Sequence, residues 1–197
     1  MTGTESLDTP DRQPGPPPEA ARDTFGVPDI VFGRHDEQFY GALGRVAGLA
    51  ALLEERLRVL LQTLHQADQA AFARMPVGKV VKEIRGEIKK GPRADRECEI
   101  VGTYLVSASA ALVERNNVLH SLWPAQDDGT WFRHRLDPKG ERAAVRTGPD
   151  EMLGLIGELV RLVQEWPNIC SIVGSWSRVR EHATHEVTSS PGGRRRR

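Results

Sequence analysis

Phe39, Leu43, Val46, Ala50, Leu53, Leu57, Leu60 and Leu64 follow one another at intervals of 4-3-4-3-4-3-4, the spacing that lines one face of a helix. Glu54, Glu55, Arg56 and Arg58 keep off that stripe, which predicts a first helix over about residues 36 to 73. After Pro76, Val80, Val81, Ile84 and Ile88 fall inward and Lys79, Lys82, Glu83, Lys89 and Lys90 outward. This is a second, shorter helix, ended by Gly91-Pro92. A third runs from about Arg93 to Trp123 and is stopped by Pro124; Leu105, Leu112 and Leu119 recur every seven residues, flanked by Ala108 and Leu122. Trp131 to Leu136 and Glu141 to Arg146, joined through Asp-Pro-Lys-Gly, predict a small hairpin. Thr147-Gly-Pro-Asp-Glu then opens a last long helix, with a proline in its first turn and acids at the positive end of its dipole. Met152, Ile156, Leu159, Val160, Val163 and Trp166 line it; Pro167 marks an end or a kink, with a further helical turn around Ile169 to Arg180. The fold class is all-α: a four-to-five-helix bundle with a small β-hairpin inserted before the last long helix.

Composition changes the picture at the ends. Residues 1–34 are rich in Pro, Gly, Asp, Thr and Ser, with Pro16, Pro17 and Pro18 in succession. Such a segment buries too little apolar surface to offset its ordering entropy. Residues 181–197, ending in four arginines, read as a second disordered tail, which leaves a bundle of residues 35–180. Twenty-seven basic residues balance 27 acidic ones, so any surface for nucleic acid is local. Cys98 and Cys170 lack metal-ligand spacing and read as buried free thiols of a reducing compartment. The first twenty residues lack the features of a signal peptide, and no apolar run is long enough to span a membrane. A cytoplasmic location follows as the expectation.

Chemistry concentrates in Arg115-Asn116-Asn117-Val118-Leu119-His120, near the end of the third helix. At 100° per residue, Arg115, Leu119, Asn116 and His120 fall within an arc of roughly 160°. The polar trio Arg115, Asn116 and His120 thus interrupts an apolar surface, where polar groups need partners. Val106, Val113 and His120 make a second row beside the main seam, available to a helix of another subunit. Arg180 and His185 form another Arg-x4-His pair, an accidental one by its place near the tail. The chain has no glycine-rich phosphate loop, no HExxH and no GxSxG.

Arg115-Asn116-x-x-x-His120 near the end of a bundle helix resembles the R-x(4–6)-H signature of the HEPN superfamily, the higher eukaryotes and prokaryotes nucleotide-binding domains. The polar residue after the arginine, the hydrophobic pair before the histidine and the following Ser121-Leu122-Trp123 match too, as does the order of elements over about residues 36 to 166. The resemblance implies a metal-independent endoribonuclease without cofactor, acting as a homodimer whose motif helices pool their side chains. In that reading His120 serves as general base or acid. Arg115 neutralises charge building on the phosphorus, and Asn116 orients the histidine or a phosphate oxygen. It also implies a defence, stress or toxin setting, with an antitoxin-like protein as partner.

For RNA, the hairpin offers Arg133, Arg135, Arg142 and Arg146, with Trp131 beside them to stack on unpaired bases. The plainer reading has Trp131 and Phe132 capping the bundle and the arginines solvated. The motif has a plainer reading as well: Arg115 pairs with Glu54 or Glu55 of the first helix, and the protein is a non-catalytic dimerisation or nucleotide-binding module.

Overall fold

A computed structural model describes residues 22–29, 35–66, 69–90, 94–124, 131–136 and 142–188. Among these residues are four α-helices, α1 (Glu37–His65), α2 (Val77–Ile88), α3 (Asp95–Leu119) and α4 (Pro149–Thr188), with strands β1 (Trp131–Leu136) and β2 (Arg142–Thr147) between α3 and α4. The all-α bundle with its inserted hairpin is therefore the fold.

Asp36 starts α1 by accepting the backbone N–H of Phe39 at 2.7 Å, an N-cap that satisfies one of the helix's free donors. The stripe from Phe39 to Leu64 is buried at Phe39, Val46, Ala50, Leu53, Leu57, Leu60 and Leu64. The helix stops at His65, short of the expected 73, because Gln66 turns left-handed at φ 51° and its N–H caps the carbonyl of Gln62. The carboxylate of Glu87 ties the turn to α2: it is buried, lies 2.7 Å from Lys90 Nζ and is 4.0 Å from His65 Nε2.

The largest helix contact is between α1 and α4. Leu159, Leu162, Ile169 and Val173 of α4 are fully buried there. Pro167 neither ends nor stops α4, which continues to Thr188. Residues 181–188, expected in the C-terminal tail, extend this helix, and the arginine run lies outside the described residues. Cys98 and Cys170 are free thiols packed partly buried against the core; burial raises the pKa of the Cys170 thiol.

The strands pair antiparallel in the register Trp131 with Thr147 through Leu136 with Arg142. An isolated bridge joins Leu122 to His134, with hydrogen bonds of 3.0 and 2.8 Å. The chain leaving α3 is thereby fastened to the hairpin. No helix among the described residues is long and apolar enough to cross a membrane.

Candidate functional site on the third helix

The motif straddles the end of α3. The helix closes at Leu119, earlier than the expected Trp123, and His120 is its C-cap, with φ −102° and ψ 11°. The His120 N–H closes the last turn on the carbonyl of Asn116 at 3.0 Å. Ser121 donates its hydroxyl to the Asn117 carbonyl, and Trp123 folds back to donate its indole N–H to the Val118 carbonyl at 2.9 Å.

Arg115 is spoken for. Its guanidinium forms an ion pair with Oε1 of Glu54 on α1, each side chain being 18% exposed. Oε2 of the same carboxylate accepts from Arg58 at 3.3 Å, and Arg58 also meets Glu55 at 3.7 Å. Two arginines and two glutamates thus form a formally neutral cluster between α1 and α3, in which Nε of both arginines is buried without a hydrogen-bond partner. Electrostatically this is a brace between helices, and Arg115 offers no free positive field to a phosphate while Glu54 holds it.

Asn116 and His120 differ, because both are exposed. They continue a row of exposed positions along α3 that takes in Glu99, Thr103, Val106, Ala110 and Val113. Val106 is 60% exposed and Val113 59%. Asn117, one step round the helix, donates to Glu114 at 2.8 Å.

Of the five hairpin residues expected to face RNA, Trp131 and Arg133 are engaged within the protein. Trp131 is only 7% exposed and meets Phe39 edge to face, with centroids 5.0 Å apart. Its ring closes the end of the bundle and is not offered to a base. Arg133 is 15% exposed and donates to Glu114 at 2.6 Å, pinning β1 to α3. The side chains of Arg135, Arg142 and Arg146 lie outside the described residues, although their backbones pair as Arg135 with Ala143, Leu136 with Arg142 and Phe132 with Arg146.

No protein-family model, curated protein or solved structure matches this chain. The site therefore stands on its own residues.

Two partners escaped sequence reasoning. His35 stacks on Phe39 at 4.0 Å and reaches the Trp123 carbonyl at 2.7 Å through Nε2, holding the segment after the motif against the start of α1. Glu114 gathers Arg133 and Asn117. A histidine just ahead of a helix and a glutamate on a helix carry no distinctive spacing, so only the tertiary structure reveals them. Among the described residues no group of three or more His, Cys, Asp or Glu is placed to hold a metal ion.

Proposed function

We propose that this protein is a HEPN-like helical-bundle module that forms a homodimer through α3. The exposed row of Val106 and Val113, running into Asn116 and His120, carries this reading. Two large aliphatic side chains more than half exposed on one helix face, with no element among the described residues over them, gain by burial against a matching face. A two-fold dimer supplies such a face without a second gene product.

A second reading, metal-independent cleavage of single-stranded RNA, draws on the exposure of Asn116 and His120 on that same row. His120 would take the proton of a ribose 2′-hydroxyl or return one to the 5′-oxygen, leaving a 2′,3′-cyclic phosphate and a 5′-hydroxyl. Arg115 would have to exchange Glu54 for a phosphate. A cytoplasmic defence or stress role with an antitoxin-like partner belongs to this second reading.

Sedimentation of the full chain, paired with an assay on single-stranded RNA, separates the two. The dimer reading expects a concentration-dependent dimer with RNA left intact, and a melting temperature lowered by Arg115→Ala. A monomer at all concentrations overturns it. Cleavage by the wild type that His120→Ala abolishes, with the dimer retained, establishes the nuclease.

A further inference from the structure

Between α2 and α3 runs a groove of about 500 Å3, lined by Arg85, Ile88, Lys89, Glu99, Gly102, Thr103 and Val106. It flanks only the N-terminal half of the exposed row. The C-terminal half, Ala110, Val113, Asn116 and His120, continues as exposed positions beyond that lining. One helix thus presents a groove wall at one end and a ridge at the other.

The row is also self-complementary by position. Glu99, Val106, Val113 and His120 stand seven residues apart, symmetric about the point between Ser109 and Ala110. An antiparallel copy of α3 crossing at that point sets Val106 against Val113 of its partner, and Glu99 against His120. Thr103 then meets Asn116. Aliphatic meets aliphatic, a carboxylate meets an imidazole that can donate to it, and hydroxyl meets amide. A parallel copy in register would oppose Glu99 to itself and His120 to itself. Seven-residue spacing drifts by roughly 20° per repeat on a straight helix, which a shallow left-handed crossing of about 20° absorbs.

We infer that two chains pair antiparallel through α3, the Val113–His120 ridge of each seated in the α2–α3 groove of the other. The inference rests on the dimer reading and adds its register and its consequence. Each groove then brings Arg85 and Lys89 of one chain beside Asn116 and His120 of the other, forming two equivalent composite clefts. The cations at the motif come from α2 of the partner, while Arg115 remains with Glu54.

Site-directed disulfide cross-linking of the full chain tests this, in a Cys98→Ala/Cys170→Ala background first verified by circular dichroism. Val106→Cys and Val113→Cys, made separately and then mixed under oxidation, should yield mainly the mixed cross-linked dimer. Glu99→Cys with His120→Cys should do the same, and Ala110→Cys should link to itself. All these positions are exposed in the protomer, so the substitutions leave its core intact. Self-linking of Val106→Cys in preference to the mixed product means a parallel pair and overturns the register. A dimer by sedimentation that links at none of these positions places the interface on another face. A monomer by sedimentation instead removes the dimer reading itself.

Discussion

Arg56 donates a hydrogen bond from Nη1 to the carbonyl of Val163, the acceptor that Pro167, four residues on, leaves without its helical N–H. The repair is reciprocal: the Trp166 indole N–H donates to the Arg56 carbonyl at 3.1 Å, and the Arg56 guanidinium lies 5.1 Å from the centre of that indole ring. The Tyr104 hydroxyl donates to the neighbouring carbonyl of Leu162 at 3.2 Å. A proline that normally breaks a helix is accommodated because α1 and α3 supply donors at the break.

Arg56→Met should cost about 1–3 kcal/mol, the penalty for leaving a partly buried acceptor unpaired. In a Pro167→Ala background residue 167 supplies its own N–H to Val163, and the same change should cost less. A coupling of about 0.5–3 kcal/mol in a urea double-mutant cycle is expected. Additive losses would mean that Arg56 stabilises only by packing on Trp166.

The Glu54 cluster predicts an asymmetry. Arg115→Met leaves Glu54 still paired with Arg58, whereas Glu54→Gln leaves Arg115 facing a neutral amide and Arg58 with only the carboxylate of Glu55, 3.7 Å away. Glu54→Gln should therefore be the more damaging change, by about 1–2 kcal/mol on the scale of partly buried ion pairs. Equal losses in chemical denaturation would show that Arg115 does not depend on Glu54 for its charge balance.

Tyr104 sets an alkaline limit. Burial first, and the nearby Glu165 second, push its pKa from 10.0 up to about 12. The unfolded chain releases this proton more readily than the folded one. The contribution is thus fully present below pH 10 and is lost as the pH rises from about 10 to about 12. The melting temperature should fall over that range in the wild type and fall less in Tyr104→Phe. The variant should itself lose about 1 kcal/mol at neutral pH with the Leu162 hydrogen bond.

How much of this was legible in the sequence depends on whether neighbours along the chain or across it decide the outcome. The stripe of α1 and the inward face of α2 are periodic signals, the strand Trp131–Leu136 was marked by the turn chemistry that follows it, and the structure matches each. The persistence of α4 through Pro167 was not legible, because local rules give a proline its cost and say nothing of an arginine more than a hundred residues away. The early end of α1 was lost for a similar reason: the left-handed Gln66 is neither glycine nor asparagine. At the site, the pairing of Arg115 with Glu54 was among the alternatives the sequence allowed. Glu114 as the clasp of the hairpin was not, since nothing in β1 announces which carboxylate Arg133 will meet.

Trp131 gives a prediction that separates packing from recognition. Its ring is buried against Phe39, which also meets Trp123 with centroids 5.5 Å apart. Trp131→Ala should destabilise by about 3–5 kcal/mol, the range for emptying an aromatic site in a core. Trp131→Phe should keep most of the stability, because the edge-to-face contact survives. If Trp131→Ala melts like the wild type and instead loses affinity for a single-stranded RNA probe, the ring is a stacking platform after all.

The exposed row on α3 makes the association visible in a melting experiment. Val113 touches too little of its own protomer to matter to its stability, being 59% exposed, so a charge there leaves the folded chain intact. In a dimer, burying that charge without a partner is strongly unfavourable. By mass action the wild-type melting temperature should rise with protein concentration, since only folded chains pair. Val113→Asp should melt at one temperature across the whole concentration range, and that temperature should match the wild type at its most dilute. A variant that still tracks concentration would move the interface off this face of α3. A variant that melts far below the dilute wild type would show that Val113 supports the protomer itself.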